Sequence, residues 1–203
     1  MTKNISILVA EDQGMLLGAL SALLNLEGDF EVIAQANDGA QAIALLGKHT
    51  PDIVLTDIEM PYKTGLDLAK YVQENGLKTK VIVLTTFARS GYLQRAMKFG
   101  VKGYLLKDAP SDELSAAIRK VHAGKKVIAP ELIDVAWDVE DPLTEKERKA
   151  LKLAADGLST EKIADTMFLS AGTVRNYLSS ASSKLNAHNR IEAARIARQR
   201  GWL

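Results

Sequence analysis

A chain of 203 residues with 47% hydrophobic content and no cysteine has room for a medium domain and a small one, each with a core, and excludes a disulfide-built fold. No apolar run is long enough to span a bilayer and the start lacks a charged-then-apolar leader, so a soluble cytoplasmic protein without direct membrane association is expected. The net charge of +1 hides a division near Asp141: residues 1–141 carry 15 Lys and Arg against 19 Asp and Glu, and residues 142–203 carry 11 against 6. A positive second part is consistent with nucleic acid binding, or with a chance partition of surface charge.

Short apolar runs at Ile5–Ala10, Phe30–Ala36, Ile53–Thr56, Val81–Thr85 and Gly103–Leu106 alternate with stretches of helical period. Strands joined by such long crossovers pair in parallel, and right-handed crossovers place helices over both faces. The prediction for residues 1–122 is therefore α/β, a doubly wound five-stranded parallel sheet. Residues 123–141 hold Gly124, Pro130, paired lysines and acidic residues near their end, sustain no period, and read as a linker with room for one short helix.

Residues 142–203 read as a small all-α four-helix unit. Thr144 followed three residues later by Glu147 is a capping-box pattern, which predicts a helix from about Thr144 to Asp156 closed by Gly157. Ser159 and Ser170 are the next caps, and the stretch between them fits only one helix and a tight turn. Helix, turn, helix is the result. In the second of these helices Val174, Leu178, Ala181 and Leu185 form one apolar stripe, with Arg175, Asn176, Ser179 and Ser183 largely off it. A last helix from about Asn189 to Arg200 carries Ile191, Ala194, Ile196 and Ala197 with four arginines.

The chemistry gathers at strand ends. The first strand ends in Glu11 and Asp12 and the third in Asp57, and neighbouring parallel strands bring these carboxylates to one edge. Three like charges so close repel unless a hard cation sits among them, and Mg²⁺ suits a few carboxylates, a backbone carbonyl such as that of Glu59, waters and a phosphoryl oxygen. Lys107, after the fifth strand, can set a compact positive charge on a phosphoryl oxygen, and Thr85, ending the fourth, can donate a hydroxyl. Taken singly, Lys107 also fits a solvated strand-end lysine and Thr85 a β-branched strand residue.

With that pattern in view, residues 1–122 resemble the flavodoxin-like receiver domain of bacterial two-component response regulators. The resemblance implies that Asp57 accepts a phosphoryl group from a sensor histidine kinase. It also implies that Asp12, Asp57 and the Glu59 carbonyl hold Mg²⁺ while Glu11 acts through water. Lys107, Thr85 and the backbone amides following Asp57 and Thr85, the latter belonging to Thr86, would contact the phosphoryl oxygens. Glu59 and Phe87 stand where the family tunes acyl-phosphate lifetime, and bulky Phe87 is expected to restrict water. Thr85 and Tyr104 would couple phosphorylation to the face around the fourth and fifth helices; a partly buried aromatic in an edge strand is the other reading of Tyr104.

LTEKERKALKLAADGLSTEKIA followed by LSAGTVRNYLSSASSKLNAHNRIEAA resembles the helix-turn-helix domain of NarL/FixJ-type (LuxR-type) regulators. By that resemblance the helix from roughly Ala171 to Lys184 enters the major groove of promoter DNA, with Arg175 and Asn176 as base readers. Ser159, Thr160, Ser170, Thr173, Lys184 and Arg190 are cast as phosphate contacts, Ser179 lies on the same exposed face, and Val174 is either a thymine-methyl contact or a core residue. The last helix, through Ile191, Ala194 and Ile196, would pair two copies over inverted half-sites, giving a homodimer on phosphorylation. Arg175, Tyr177 and Ala187 depart from the common lysine, histidine and valine, which bears on operator sequence more than on fold.

A narrower resemblance, in EDQGMLLGAL, LTTFARSGYLQRAMKFGVKGYLLKDAPS and RIEAARIARQRGW, is to regulators of membrane fluidity in bacilli. It implies a membrane-embedded kinase and genes for envelope or lipid adjustment, or a neighbouring export operon. Two other functions fit parts of the pattern. One is a DNA-binding regulator that works without phosphorylation. The other is an aspartyl-phosphate phosphatase, against which the order of the acidic residues counts, since those enzymes place the nucleophile after their first strand; the expectation is a protein that is not an enzyme. A pure protein adaptor would have no use for the recognition helix. His49, His122 and His188 sit in no motif and fit surface or cap roles.

Overall fold

The computed structural model describes residues 4–86, 89–136 and 141–203. By chain contacts it divides into a receiver-like unit and a C-terminal helical unit.

The first unit runs β1 (Ile5–Ala10), α1 (Gly14–Leu26), β2 (Phe30–Ala36), α2 (Gly39–Leu46), β3 (Ile53–Asp57), α3 (Gly65–Glu74), β4 (Lys80–Thr85), α4 (Ser90–Lys98), β5 (Gly103–Leu106), α5 (Ser111–His122), β6 (Val127–Ile128) and α6 (Pro130–Ala136). The sheet is parallel throughout in the order β2-β1-β3-β4-β5-β6. Strand β3 is buried at every residue, as its unbroken apolar run requires of a strand covered on both faces. Side chains alternate: Ile7, Val9, Leu55, Ile82, Leu84 and Leu105 join Leu24 of α1 and Leu114, Ile118 and Val121 of α5 in one core. Leu8, Val54, Val83 and Tyr104, equally buried, point to the other face.

The sixth strand was not expected. Val127 donates to Lys102 O (2.9 Å) and Ala129 to Tyr104 O (2.9 Å), so the region read as a linker closes the open edge of β5 before α6 begins at Pro130. Two residues carry no period, and what makes them a strand is the row of unpaired groups on β5. One consequence corrects the edge-strand reading of Tyr104: its strand is interior, and its ring is fully buried.

The second unit consists of α7 (Glu145–Ala155), α8 (Thr160–Met167), α9 (Ala171–Lys184) and α10 (Arg190–Gln199). The predicted caps are in place. Thr144 and Glu147 form a reciprocal capping box, Ser159 accepts from Lys162 N, and Ser170 accepts from Thr173 N. Asn189 caps α10 through Ile191 N and Glu192 N. The core gathers Leu151, Ile163, Val174, Leu178, Ala181, Leu185, Ala193, Ala194 and Ala197. No helix among the described residues is long and apolar enough to cross a membrane.

Candidate phosphoacceptor pocket and nucleic-acid interface

Register places the acidic residues. Ala10 lies opposite Thr56, so the next residues, Glu11 and Asp57, stand side by side at the carboxyl edge. Thr85 pairs with Leu106, and Lys107 follows, its N–H bonded to Thr85 O (2.9 Å). The Lys107 ammonium bridges Glu11 Oε2 (2.7 Å) and Asp57 Oδ2 (2.9 Å), with all three side chains at most 10% exposed. The other Asp57 oxygen accepts from Ile58 N (2.6 Å). Burial pushes Glu11 and Asp57 up from the usual carboxylate range, against the pull of Lys107. Burial would lower Lys107, but its hydrogen bonds to Glu11 and Asp57 override that and raise it.

Glu11, Asp12 and Asp57 each offer a carboxylate oxygen within 4.8 Å of the others, an all-oxygen set that fits a hard divalent cation. Asp12 and Glu59 are exposed and Glu11 is buried. Thr85 is buried at the strand end and Thr86 is exposed just beyond it. Phe87, expected to restrict water, lies outside the described residues.

Gly65 was not flagged by the sequence reading, although it shapes the pocket: a Cβ there would overlap the Asp57 carbonyl oxygen. Its N–H bonds Ile58 O (3.0 Å), so the start of α3 closes directly onto the end of the strand that carries Asp57. Gly65→Ala is expected to destabilise the receiver by about 1–3 kcal/mol and to slow phosphoryl uptake, as read by thermal melts and acetyl phosphate labelling. A chain that melts and labels like the wild type would show that α3 can give way.

In the second unit α9 turns two faces. Val174, Leu178, Ala181 and Leu185 face the core, while Gly172, Arg175, Asn176, Ser179 and Ser183 are exposed. Val174 is fully buried and opens the apolar stripe, which is the core reading of that residue. Ser159, Ser170 and Arg190 are exposed and Thr160 and Thr173 half-buried. Phe168, 95% exposed, adopts a left-handed conformation (φ 55°) in the turn before α9. On α10, Ile191 is exposed and Ile196 half-buried, but Ala194 is buried and belongs to the core rather than to an open dimer face. His49, His122 and His188 are all exposed.

Lys184, cast as a phosphate contact, is exposed and carries an ion pair within its own unit. Its ammonium is bound to Glu147 Oε2 (2.8 Å), because the end of α9 faces α7. Glu147, read from sequence only as a cap, accepts from Thr144 N (2.8 Å), Ser180 Oγ (2.6 Å) and Lys184 Nζ, and so ties α7 to the recognition helix. Its capping-box spacing was visible; its two partners on α9 lie more than thirty residues away and carry no local signal. Burial would raise this carboxyl, but the bonds to Lys184, Ser180 and Thr144 hold it down at about 2.

A depressed folded pKa means stability that is complete above the ordinary value of 4.5 and is lost as pH falls through about 2. The tie is worth on the order of 2–3 kcal/mol. Glu147→Gln is expected to lower the unfolding midpoint at neutral pH and to flatten the acid dependence between those limits, as read by circular dichroism melts across pH. An unaltered acid profile would count against the tie.

Residues 7–119 match the response regulator receiver domain, and residues 141–197 match the bacterial regulatory proteins of the luxR family. The chain belongs to the response regulators that join a receiver to a LuxR-type helix-turn-helix domain, the NarL/FixJ build, and is by that membership a DNA-binding transcriptional regulator. It is 52% identical over 198 residues to the transcriptional regulatory protein DesR of Bacillus subtilis, covering 98% of each chain. It is 51% identical to the transcriptional regulatory protein YvfU of the same organism, covering 98% of this chain and 100% of that one. Among solved structures it is similar to the response regulator ChrA of a heme-sensing two-component system (31% identity, TM-score 0.58, 98% of this chain and 99% of that one). It is also similar to RcsB in complex with DNA (25% identity, TM-score 0.65, 97% and 98%).

Proposed function

We propose that Asp57 receives a phosphoryl group from a sensor histidine kinase and that this shifts the receiver toward a dimer that places two recognition helices on inverted half-sites. The observation that carries the reading is the Lys107 ammonium bound to both Glu11 and Asp57 at the mouth of the sheet, flanked by a third carboxylate, Asp12. Asp12 and Asp57, with the Glu59 carbonyl, would hold Mg²⁺ and Glu11 would reach it through water; the ion when bound neutralises charge on the transferring group.

The chain's own groups supply the rest. An oxygen of Asp57 forms the bond to phosphorus as the bond from phosphorus to the donor imidazole nitrogen breaks. The Ile58 amide, which holds Asp57 Oδ1 at 2.6 Å, fixes the carboxylate for in-line attack. Lys107 leaves its carboxylate partners to neutralise an equatorial phosphoryl oxygen, with Thr85 and the Thr86 amide as further donors. Thr85 drawn inward and Tyr104 packed beneath it then favour one of two arrangements of the α4–β5–α5 face. The chain is consumed and regenerated as an acceptor, and substrate turnover is not its task.

The dimerising surface is proposed to lie on α1. Its thirteen residues include no charged side chain, and Met15, Leu23 and Leu26 are exposed on it, an apolar stretch of the kind that protein partners cover. Sedimentation velocity with acetyl phosphate and Mg²⁺ is expected to convert monomer to dimer and to tighten binding to duplex DNA. Equal assembly and equal DNA affinity with and without the phosphodonor would instead favour a regulator that works without phosphorylation.

A further inference from the structure

The loop between β3 and α3 carries a strained and exposed aromatic. Tyr62 has φ 61° and is 87% exposed. Lys63 N bonds Pro61 O at 2.7 Å, across Tyr62 alone, so the residue is the centre of a one-residue γ-turn, a conformation that is rare and costly for a bulky side chain. Glycine or asparagine would hold it with less strain.

The surrounding backbone enforces the turn. Met60 is buried and its N–H reaches Ile58 O (3.2 Å). Thr64 closes the loop in a capping box with Asp67. Gly39 of α2 packs so closely on the Lys63 carbonyl that a Cβ there would overlap it. The backbone at Tyr62 is therefore held in place, and its exposed ring projects from the loop directly following Asp57 and Glu59. Strain maintained by its surroundings at this edge points to a use, and a tyrosine on a fixed backbone has only two side-chain torsions to lose when a partner covers it, which suits it as an interface anchor.

We propose that Tyr62 is an anchor for the protein that delivers the phosphoryl group, a surface bearing a phosphorylated histidine. The inference rests on the phosphoryl-acceptor reading of Asp57. A phosphohistidine in line with Asp57 requires its carrier to cover the carboxyl edge of the sheet, where the β3–α3 loop lies, and Tyr62 is the one exposed aromatic among the described residues of the receiver-like unit. A small donor such as acetyl phosphate reaches Asp57 without touching the ring. The residue positions the donor; it does not take part in the transfer.

The test compares Tyr62→Gly, Tyr62→Asn and Tyr62→Phe in the full chain with two donors. One is acetyl phosphate with Mg²⁺. The other is the phosphorylated cytoplasmic fragment of a sensor kinase, chosen from a panel as the fastest donor to the wild type. Glycine and asparagine are expected to raise the receiver's melting midpoint by relieving the turn, to leave uptake from acetyl phosphate within about twofold, and to lower kcat/KM from the kinase fragment by about tenfold or more, chiefly through KM. Phenylalanine is expected to keep most of the kinase rate. Unchanged kinase transfer in both strain-relieving variants overturns the proposal, as does an equal loss with acetyl phosphate, which would assign Tyr62 to pocket geometry. A wild type that takes phosphoryl from neither donor refutes the Asp57 reading, and this inference with it.

Discussion

Asp57→Asn is expected to abolish phosphoryl uptake. After incubation with acetyl phosphate and Mg²⁺, intact-mass measurement should show one added phosphoryl group on the wild-type chain and none on the variant. The amide keeps the side chain's size, and its carbonyl oxygen can still accept from Ile58 N, now 2.6 Å from the carboxylate. It carries no charge for Lys107 and no competent nucleophile, so a folded, inert receiver results. Lys107→Met is the informative companion. Its ammonium is the side-chain cation that holds both Glu11 and Asp57, and without it the buried carboxylates face each other uncompensated. Phosphorylation should slow by ~10²-fold or more, and the phosphoryl group that does arrive should convert little of the chain to dimer. Equal mass gain in wild type and Asp57→Asn would remove Asp57 as acceptor.

The second large effect is expected on the recognition helix. Arg175 and Asn176 sit next to one another on the exposed face of α9, with geometry suited to guanine and adenine respectively. Each alanine substitution should cost about 1–3 kcal/mol at its base, and specificity there should relax. A selection from random duplexes, followed by binding titrations on the selected operator, measures both. Losing Arg175 should also leave a Val174-containing core that melts as before, since the arginine projects away from the apolar stripe. Ser159→Ala and Arg190→Ala, by contrast, should weaken binding about equally on every sequence, the Arg190 change with a shallower salt dependence. An Arg175→Ala chain that binds the selected operator as tightly as the wild type would move base reading to other residues.

Strand register explains why so much of the pocket could be read in advance. In a parallel sheet the end of each apolar run is a position in space, so an acid after β1, an acid ending β3, a threonine ending β4 and a lysine after β5 are neighbours as soon as the strands are counted. The helix caps Thr144, Ser159 and Ser170 were legible for a similar reason, each acting on an amide three residues away. Features settled by distant partners were not. The strand at Val127–Ile128 exists because β5 has an open edge, Gly65 is needed because the Asp57 carbonyl lies against it, and the Lys184 ammonium is ion-paired because Glu147 is across from it.

Local chemistry and periodicity determined the two-part build, the strands and helices, and the residue types that could carry a phosphoryl group or read a base. Tertiary packing decided what each of those residues faces. It buried Val174 and Ala194, enclosed Tyr104 within the sheet, and bridged Glu11 to Asp57 through one ammonium. It also held Tyr62 in a turn that its own side chain disfavours. Propensity and capping act over a few bonds and are written along the chain, whereas burial, ion pairing and imposed strain depend on which distant segments come to share the same volume.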